Sequence, residues 1–127
     1  MSSLKLPSIN QVALSGRLTQ DPEFRFTESG TAKLSFNIAS NRSYKNKNEE
    51  WQEEVTFVPV TVWGKSAEYF AEKLFKGSAI FVTGKLESYS YESSNGNRTI
   101  LRINARAVQI LEKQEVEEKK EPQEISG

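Results

Sequence analysis

The sequence predicts an all-β fold, a five-stranded Greek-key barrel with one helix between its third and fourth strands. Two observations predict it. Apolar and polar residues alternate through five stretches of the first 111 residues, the period of half-buried strands. Only one stretch, between the third and fourth of these, carries apolar residues at helical spacing. The order is strand, strand, strand, helix, strand, strand, which is not the βα alternation of a parallel sheet.

The first strand places Val12, Leu14 and Leu18 on one parity, with Gly16 in line as an expected bend or bulge. Asp21-Pro22 marks a turn. Glu23–Thr27 and the run of Leu34, Phe36 and Ile38 flank a second turn at Glu28-Ser29-Gly30-Thr31, where glycine allows positive φ. The third strand turns Val58, Val60 and Val62 to one face. In the helix, Ser66 is the expected N-cap and Ala67, Phe70, Ala71 and Leu74 form the apolar stripe. Lys73 and Lys76 are expected in its last turn and Gly77 at its stop. The fourth strand carries Ile80, Val82 and Leu86, and the last runs from about Thr99 to Leu111. Two polar stretches, Asn41–Glu54 and Ser88–Arg98, read as loops, the second with an Asn95-Gly96 hairpin turn. This is the element order of an OB-fold. Residues 1–111 read as the domain and 112–127 as a short disordered Glu/Lys-rich tail.

Composition removes several functions. The chain has no Cys and no His, which excludes disulfides and thiolate metal sites and withholds the usual general base and zinc ligand. No P-loop, nucleophile elbow or dinucleotide fingerprint is present. Glu49, Glu50, Glu53 and Glu54 lie among lysines and read as a solvated charge run, and Asp21 beside its proline as a structural turn residue. The expectation is a binding protein without catalytic residues, cofactor or metal. No apolar run is long enough for a membrane span or a signal peptide, so a cytoplasmic location is expected. Net charge is zero, but residues 1–111 carry 14 Lys+Arg against 11 Asp+Glu. An excess of three is too weak to argue a polyanionic partner.

Aromatic placement is more informative. If Val58, Val60 and Val62 face the core, then Phe57, Pro59, Thr61 and Trp63 face outward. Six residues of strand put Phe57 and Trp63 about 20 Å apart, a length that bases of a stretched single strand can occupy by stacking. Tyr44, Trp51, Tyr89 and Tyr91 fall in the two polar stretches, with Lys45 and Lys47 in the first and Arg98 after the hairpin. Lys65 lies just after Trp63, and Arg102 and Arg106 share a parity in the last strand. Rings for bases and cations for phosphates are what a groove for single-stranded nucleic acid requires. Burial of the same rings in a protein interface is the competing reading, and an RNA-preferring or primosome-type OB protein is a third.

Gly16-Arg17-Leu18-Thr19-Gln20-Asp21-Pro22-Glu23, Phe24-Arg25-Phe26-Thr27, Ala39-Ser40-Asn41-Arg42-Ser43-Tyr44, Val62-Trp63-Gly64-Lys65-Ser66-Ala67-Glu68, Lys76-Gly77-Ser78 and Gly84-Lys85-Leu86 occur in this order. With them the stretch from about Asn10 to Leu111 resembles the bacterial-type single-stranded DNA-binding proteins. The resemblance implies a protein that coats and protects single-stranded DNA without sequence preference in replication, recombination and repair, assembled as a homotetramer. It implies stacking roles for Tyr44, Phe57, Trp63 and Tyr91 and phosphate contacts for Arg25, Lys65 and Lys76. The family's acidic run closing in Ile-Pro-Phe or Leu-Pro-Phe, which docks replication and repair proteins, has no match in Glu121–Gly127. Recruitment of those partners is left unassigned. Pro59 lies mid-strand, where a bulge or an unpaired edge is expected. Trp51 is an additional aromatic, and Phe81, outward by parity, is a candidate subunit contact.

Overall fold

The structure is a computed structural model and describes residues 4–111. The strands are β1 (Val12–Leu18), β2 (Glu23–Phe26), β3 (Ala32–Lys45), β4 (Trp51–Trp63), β5 (Ala79–Ser93) and β6 (Gly96–Ile110), with one helix, α1 (Lys65–Ala71), between β4 and β5. The sheet order β1-β5-β6-β4-β3 closes through a β1–β3 pairing into a five-stranded barrel. The expected five strands become six because Glu23–Phe26 pairs separately with Lys33–Ser35 and Ala32 at the edge of β3. The reading of residues 112–127 as a tail lies outside the described residues.

Alternation builds the core as expected except at Leu86, which was expected on the face of Ile80 and Val82 and is 39% exposed. Leu18, Leu34, Phe36, Ile38, Val60, Val62, Ile80, Val82 and Ile103 are buried together, with Val12, Leu14 and Val58 packed against them. Each fully buried aliphatic side chain contributes about 1.5–3 kcal/mol relative to exposure. Helix α1 closes one end of the barrel through Ala67, with Phe70 and the following Leu74 on the same cluster.

The helix differs from its expected outline. It starts two residues early, capped by Gly64 at φ 74 with no side-chain hydrogen bond, so Ser66 is inside the helix and caps nothing. It ends at Ala71, leaving Lys73 and Lys76 in the turns beyond it and no basic residue in its last turn. Those turns are tied down by tertiary bonds: the Lys76 N–H donates to Asp21 Oδ1 at 2.7 Å and the Gly77 N–H to the Leu18 carbonyl at 2.9 Å. Asp21 thus has the structural role expected of it.

The largest departure concerns the two polar stretches. Both are strand. The β3–β4 ladder runs unbroken from Lys33 opposite Trp63 to Lys45 opposite Trp51, and β5–β6 continues to Ser93 opposite Gly96. Two hairpin arms therefore extend past the barrel, where both faces meet water and apolar alternation has nothing to report. The first arm turns through residues 46–50, with the Asn46 side chain accepting from the N–H groups of Asn48 and Glu50 and Glu49 at φ 62. The second turns at Ser94-Asn95, one residue earlier than expected, with Gly96 at φ 106.

Gly16 marks no bulge: β1–β5 pairing passes through it in register, and a Cβ there would stand 2.6 Å from the Ala39 carbonyl oxygen. Glycine is needed for the close approach of β1 to β3. The bulge lies instead at Thr83/Gly84, where Gly84 pairs with Ala105 and Thr83 with Ala107, leaving Arg106 as the extra residue. Arg102 and Arg106 are thereby separated, despite their shared sequence parity. Pro59 pairs with Asn37 without a bulge. The Asn37 carbonyl accepts from Thr19 N–H on the other side, so this pair is not hydrogen-bonded and the proline nitrogen faces the opposite edge of β4. There β6 pairs only with Val60 and Thr61, which is the unpaired edge that proline tolerates.

A Cβ on Gly84 would lie 2.2 Å from the Asn104 carbonyl oxygen and 2.9 Å from Ala105 Cα. These are backbone atoms of the neighbouring strand and cannot yield locally. Gly84→Ala is expected to cost about 1–3 kcal/mol in urea unfolding. Parent-like stability would contradict the close packing at the bulge.

Candidate nucleic-acid interface

Ladder register decides which side chains share a face. On the core-facing pleat of β3 and β4, Leu34, Phe36 and Ile38 oppose Val62, Val60 and Val58. The other pleat carries Trp63, Thr61, Pro59, Phe57 and Trp51 on β4 against Lys33, Ser35, Asn37, Ala39 and Lys45 on β3. Phe57 and Trp51 are each 68% exposed. Two cations lie over rings on this face, Lys33 Nζ at 5.6 Å from Trp63 and Lys45 Nζ at 5.5 Å from Trp51. Arg25 joins the same face opposite Lys33, paired with Glu23 through its guanidinium.

The second arm faces this surface. Tyr89 and Arg102 line a depression of about 230 Å³ with Pro59, Thr61, Ser35 and Asn37, and Gln20 and Asp21 also belong to its lining. Thr61 was expected to point to solvent, yet it is only 2% exposed. Parity gave its side correctly but not the neighbours on that side. Arg102 stacks at 4.2 Å from the Tyr89 ring centroid. Tyr91, 44% exposed, follows Tyr89 two residues toward the tip, opposite Arg98.

The remaining expected residues are dispersed. Tyr44 lies on the opposite pleat of the first arm, opposite Gln52, with Arg42 at 4.7 Å from its ring. Lys47 is in the exposed turn at the tip of that arm, and Lys65 is exposed at the start of α1, two residues beyond Trp63. Lys76 is exposed beside the Asp21 end of the depression through its backbone bond. Arg106 is exposed at the bulge. The face thus gathers Trp51, Phe57, Trp63, Tyr89 and Tyr91 with Arg25, Lys45, Arg98 and Arg102.

Sequence reasoning missed Lys33, Glu87 and Asn104. Lys33 was legible, since its parity on β3 is opposite to that of Leu34. Glu87 Oε1 accepts from Arg102 Nε at 2.8 Å, and Oε2 accepts from Asn104 Nδ2 at 3.3 Å. The Arg102 hydrogen bond holds the Glu87 carboxyl below the ordinary glutamate range, with Asn104 and the Arg102 charge in support and partial burial in opposition. Among the described residues no group of three or more acidic side chains is arranged to hold a metal ion, and no helix is long and apolar enough to cross a membrane.

Because the folded-state value of Glu87 is depressed, its stabilisation is present above the unfolded value and is lost as pH falls through the folded one. Glu87→Gln should therefore be less stable than the parent at neutral pH. The gap should close as pH drops below about 4.3, measured by urea unfolding at several pH values. A gap independent of pH would show that the charge of Glu87 does not stabilise the fold.

Known proteins resemble this chain in sequence and barrel. Residues 9–111 match the Single-strand binding protein family. Single-stranded DNA-binding protein 2 of Chlorobaculum tepidum is 44% identical over 110 residues, covering 85% of this chain and 74% of that one. Single-stranded DNA-binding protein 1 of Streptococcus pyogenes is 40% identical over 108 residues, covering 84% and 82%. Among solved structures, a deletion variant of the single-stranded DNA binding protein from Thermus aquaticus superposes with a TM-score of 0.75 at 31% identity. That match takes in 84% of this chain but 52% of the Thermus chain, so the barrel spans about half of that protein. By family match, identity to these relatives and shared barrel, the chain belongs to the single-strand binding protein family.

Proposed function

We infer that this protein binds single-stranded DNA without sequence preference, coating and protecting it in replication, recombination and repair. The observation that carries the inference is the row of exposed rings on the outward pleat of β4, with cations over two of them, in a chain of this family. Stacking is tolerant of sequence because every base has a π-face, and it needs no large net charge. Trp63, Phe57 and Tyr91 serve as stacking platforms, with Trp51 and Tyr89 extending the path on either arm. Lys33, Arg25, Lys45, Lys65 and Arg98 accompany the phosphates. Binding of this kind displaces hairpins by mass action and requires no catalysis.

Saturating oligo-dT should quench the Trp63 emission of the Trp51→Phe protein. Replacing Phe57 and Trp63 together by Ala should cost about 2–6 kcal/mol of binding if the two rings act independently. Unchanged affinity in a folded double variant would rule out this face. Comparison of dT with rU oligonucleotides tests DNA against RNA preference. An oligomer without measurable binding at low salt would turn the rings into a protein interface.

Assembly as a homotetramer is proposed with it. Along Val12–Ser15 the edge of β1 away from β5 has no partner strand among the described residues, and Phe81 stands 38% exposed on the outward face of β5. Covering an open edge favours self-pairing, and several linked barrels raise one another's effective concentration on a long strand. Light scattering at micromolar concentration is expected to give four times the 14.4 kDa chain mass. A monomer that still bound oligo-dT tightly would contradict assembly alone.

A further inference from the structure

Glu87 is an acidic residue beside a face proposed to bind a polyanion. Simple electrostatics assigns it an unfavourable role there. Its surroundings point elsewhere. Three ion pairs occur among the described residues, and two are loose: Arg25–Glu23 and Arg42–Glu54 leave more than half of each side chain exposed. In Arg102–Glu87 the exposures fall to 15% and 29%. Both Glu87 carboxylate oxygens are engaged, one by Arg102 and one by Asn104. Glu87 and Arg102 are direct partners in the β5–β6 ladder, and Tyr89 is the next residue of β5 on the same pleat. Held by Glu87, the planar guanidinium lies 4.2 Å from the Tyr89 ring centroid. A flat cation against one side of the ring fixes the ring's orientation.

We propose that Glu87 is a positioning residue: it clamps Arg102 against Tyr89, so that the ring stands fixed at the depression it shares with Pro59 and Thr61 and receives a base there. The proposal rests on the reading of this face as the DNA surface. Its two consequences invert what charge alone implies. Arg102 is committed to Glu87 and neutralises no phosphate, although it is a cation at the centre of the interface. Removal of the negative charge at Glu87 weakens binding, because a released Arg102 no longer braces the ring.

The test is oligo-dT affinity at several salt concentrations for Glu87→Ala, Glu87→Gln, Arg102→Ala, Lys65→Ala and Trp63→Ala, each checked for cooperative unfolding. Glu87→Ala and Arg102→Ala should each weaken binding about threefold to tenfold. Their double variant should be no weaker than Arg102→Ala, since the two act through one ring. Glu87→Gln, which keeps an acceptor for Arg102, should fall between Glu87→Ala and the parent. The salt slope should be unchanged in Arg102→Ala, whereas Lys65→Ala lowers it by about 0.7. Tighter binding by both Glu87 variants, or a slope lowered by about 0.7 in Arg102→Ala, would overturn the clamp and make Arg102 a phosphate contact. If Trp63→Ala binds like the parent, the face itself is misassigned. If Trp63→Ala weakens binding while Glu87→Ala does not, the face stands and the clamp fails.

Discussion

Val58, Val60 and Val62 of β4 lie across the ladder from Ile38, Phe36 and Leu34 of β3, and this contact fixes the register on which the interface depends. A slip of one residue would turn these aliphatic side chains to water and drive Phe57 and Trp63 into the core. With each buried side chain worth about 1.5–3 kcal/mol, no alternative pairing competes. The rings on the outward pleat are held where they are because their neighbours in sequence are committed inward. Two further constraints complete the barrel around this ladder. Gly16 lets β1 approach the Ala39 carbonyl, and Gly84 lets β5 pass Asn104 at the bulge.

Because register carries so much, the barrel itself was legible in the sequence. Alternation placed the core residues of β1, β3 and β4 and Ile80 and Val82 of β5, though not Ile103 of β6, and the helical spacing around Ala67 and Phe70 placed α1. The arms were not legible. Beyond Ile38 and Val58 the ladder leaves the barrel, both pleats are solvated, and a polar strand looks like a polar loop. The β5–β6 register was missed for a narrower reason. An Asn95-Gly96 turn would have set Tyr89 opposite Arg102, whereas the turn at Ser94-Asn95 sets Glu87 there and Tyr89 on the diagonal. Thr61 shows a related limit, since parity gives the side of a strand and not what covers it.

The basic residues of the proposed interface are not equivalent. Arg25 is paired with Glu23 in water, where such a pair contributes about 0–1 kcal/mol and can give way to a phosphate. Lys33 and Lys45 lie over rings and remain free to meet a backbone beside a stacked base. Arg102 is half-buried and doubly engaged, by a carboxylate and a ring. A formal excess of three cations in residues 1–111 therefore understates some contributions and overstates others. Ring geometry, more than charge, explains how a chain of zero net charge can hold a polyanion.

Zero-length ultraviolet cross-linking to oligo-dT, followed by peptide mapping, tests the location of the interface most directly, since adducts form only where a base touches a side chain. Of the aromatics, Trp51, Phe57, Tyr91 and the half-buried Trp63 and Tyr89 belong to the proposed interface, and Phe24, Phe26, Tyr44, Tyr69, Phe75 and Phe81 lie outside it. Adducts on Trp63, Phe57 and the Tyr89–Tyr91 stretch are predicted. Adducts confined to Phe24, Phe26, Tyr69 or Phe75 would contradict the assignment of the outward pleat of β4 as the DNA-binding face.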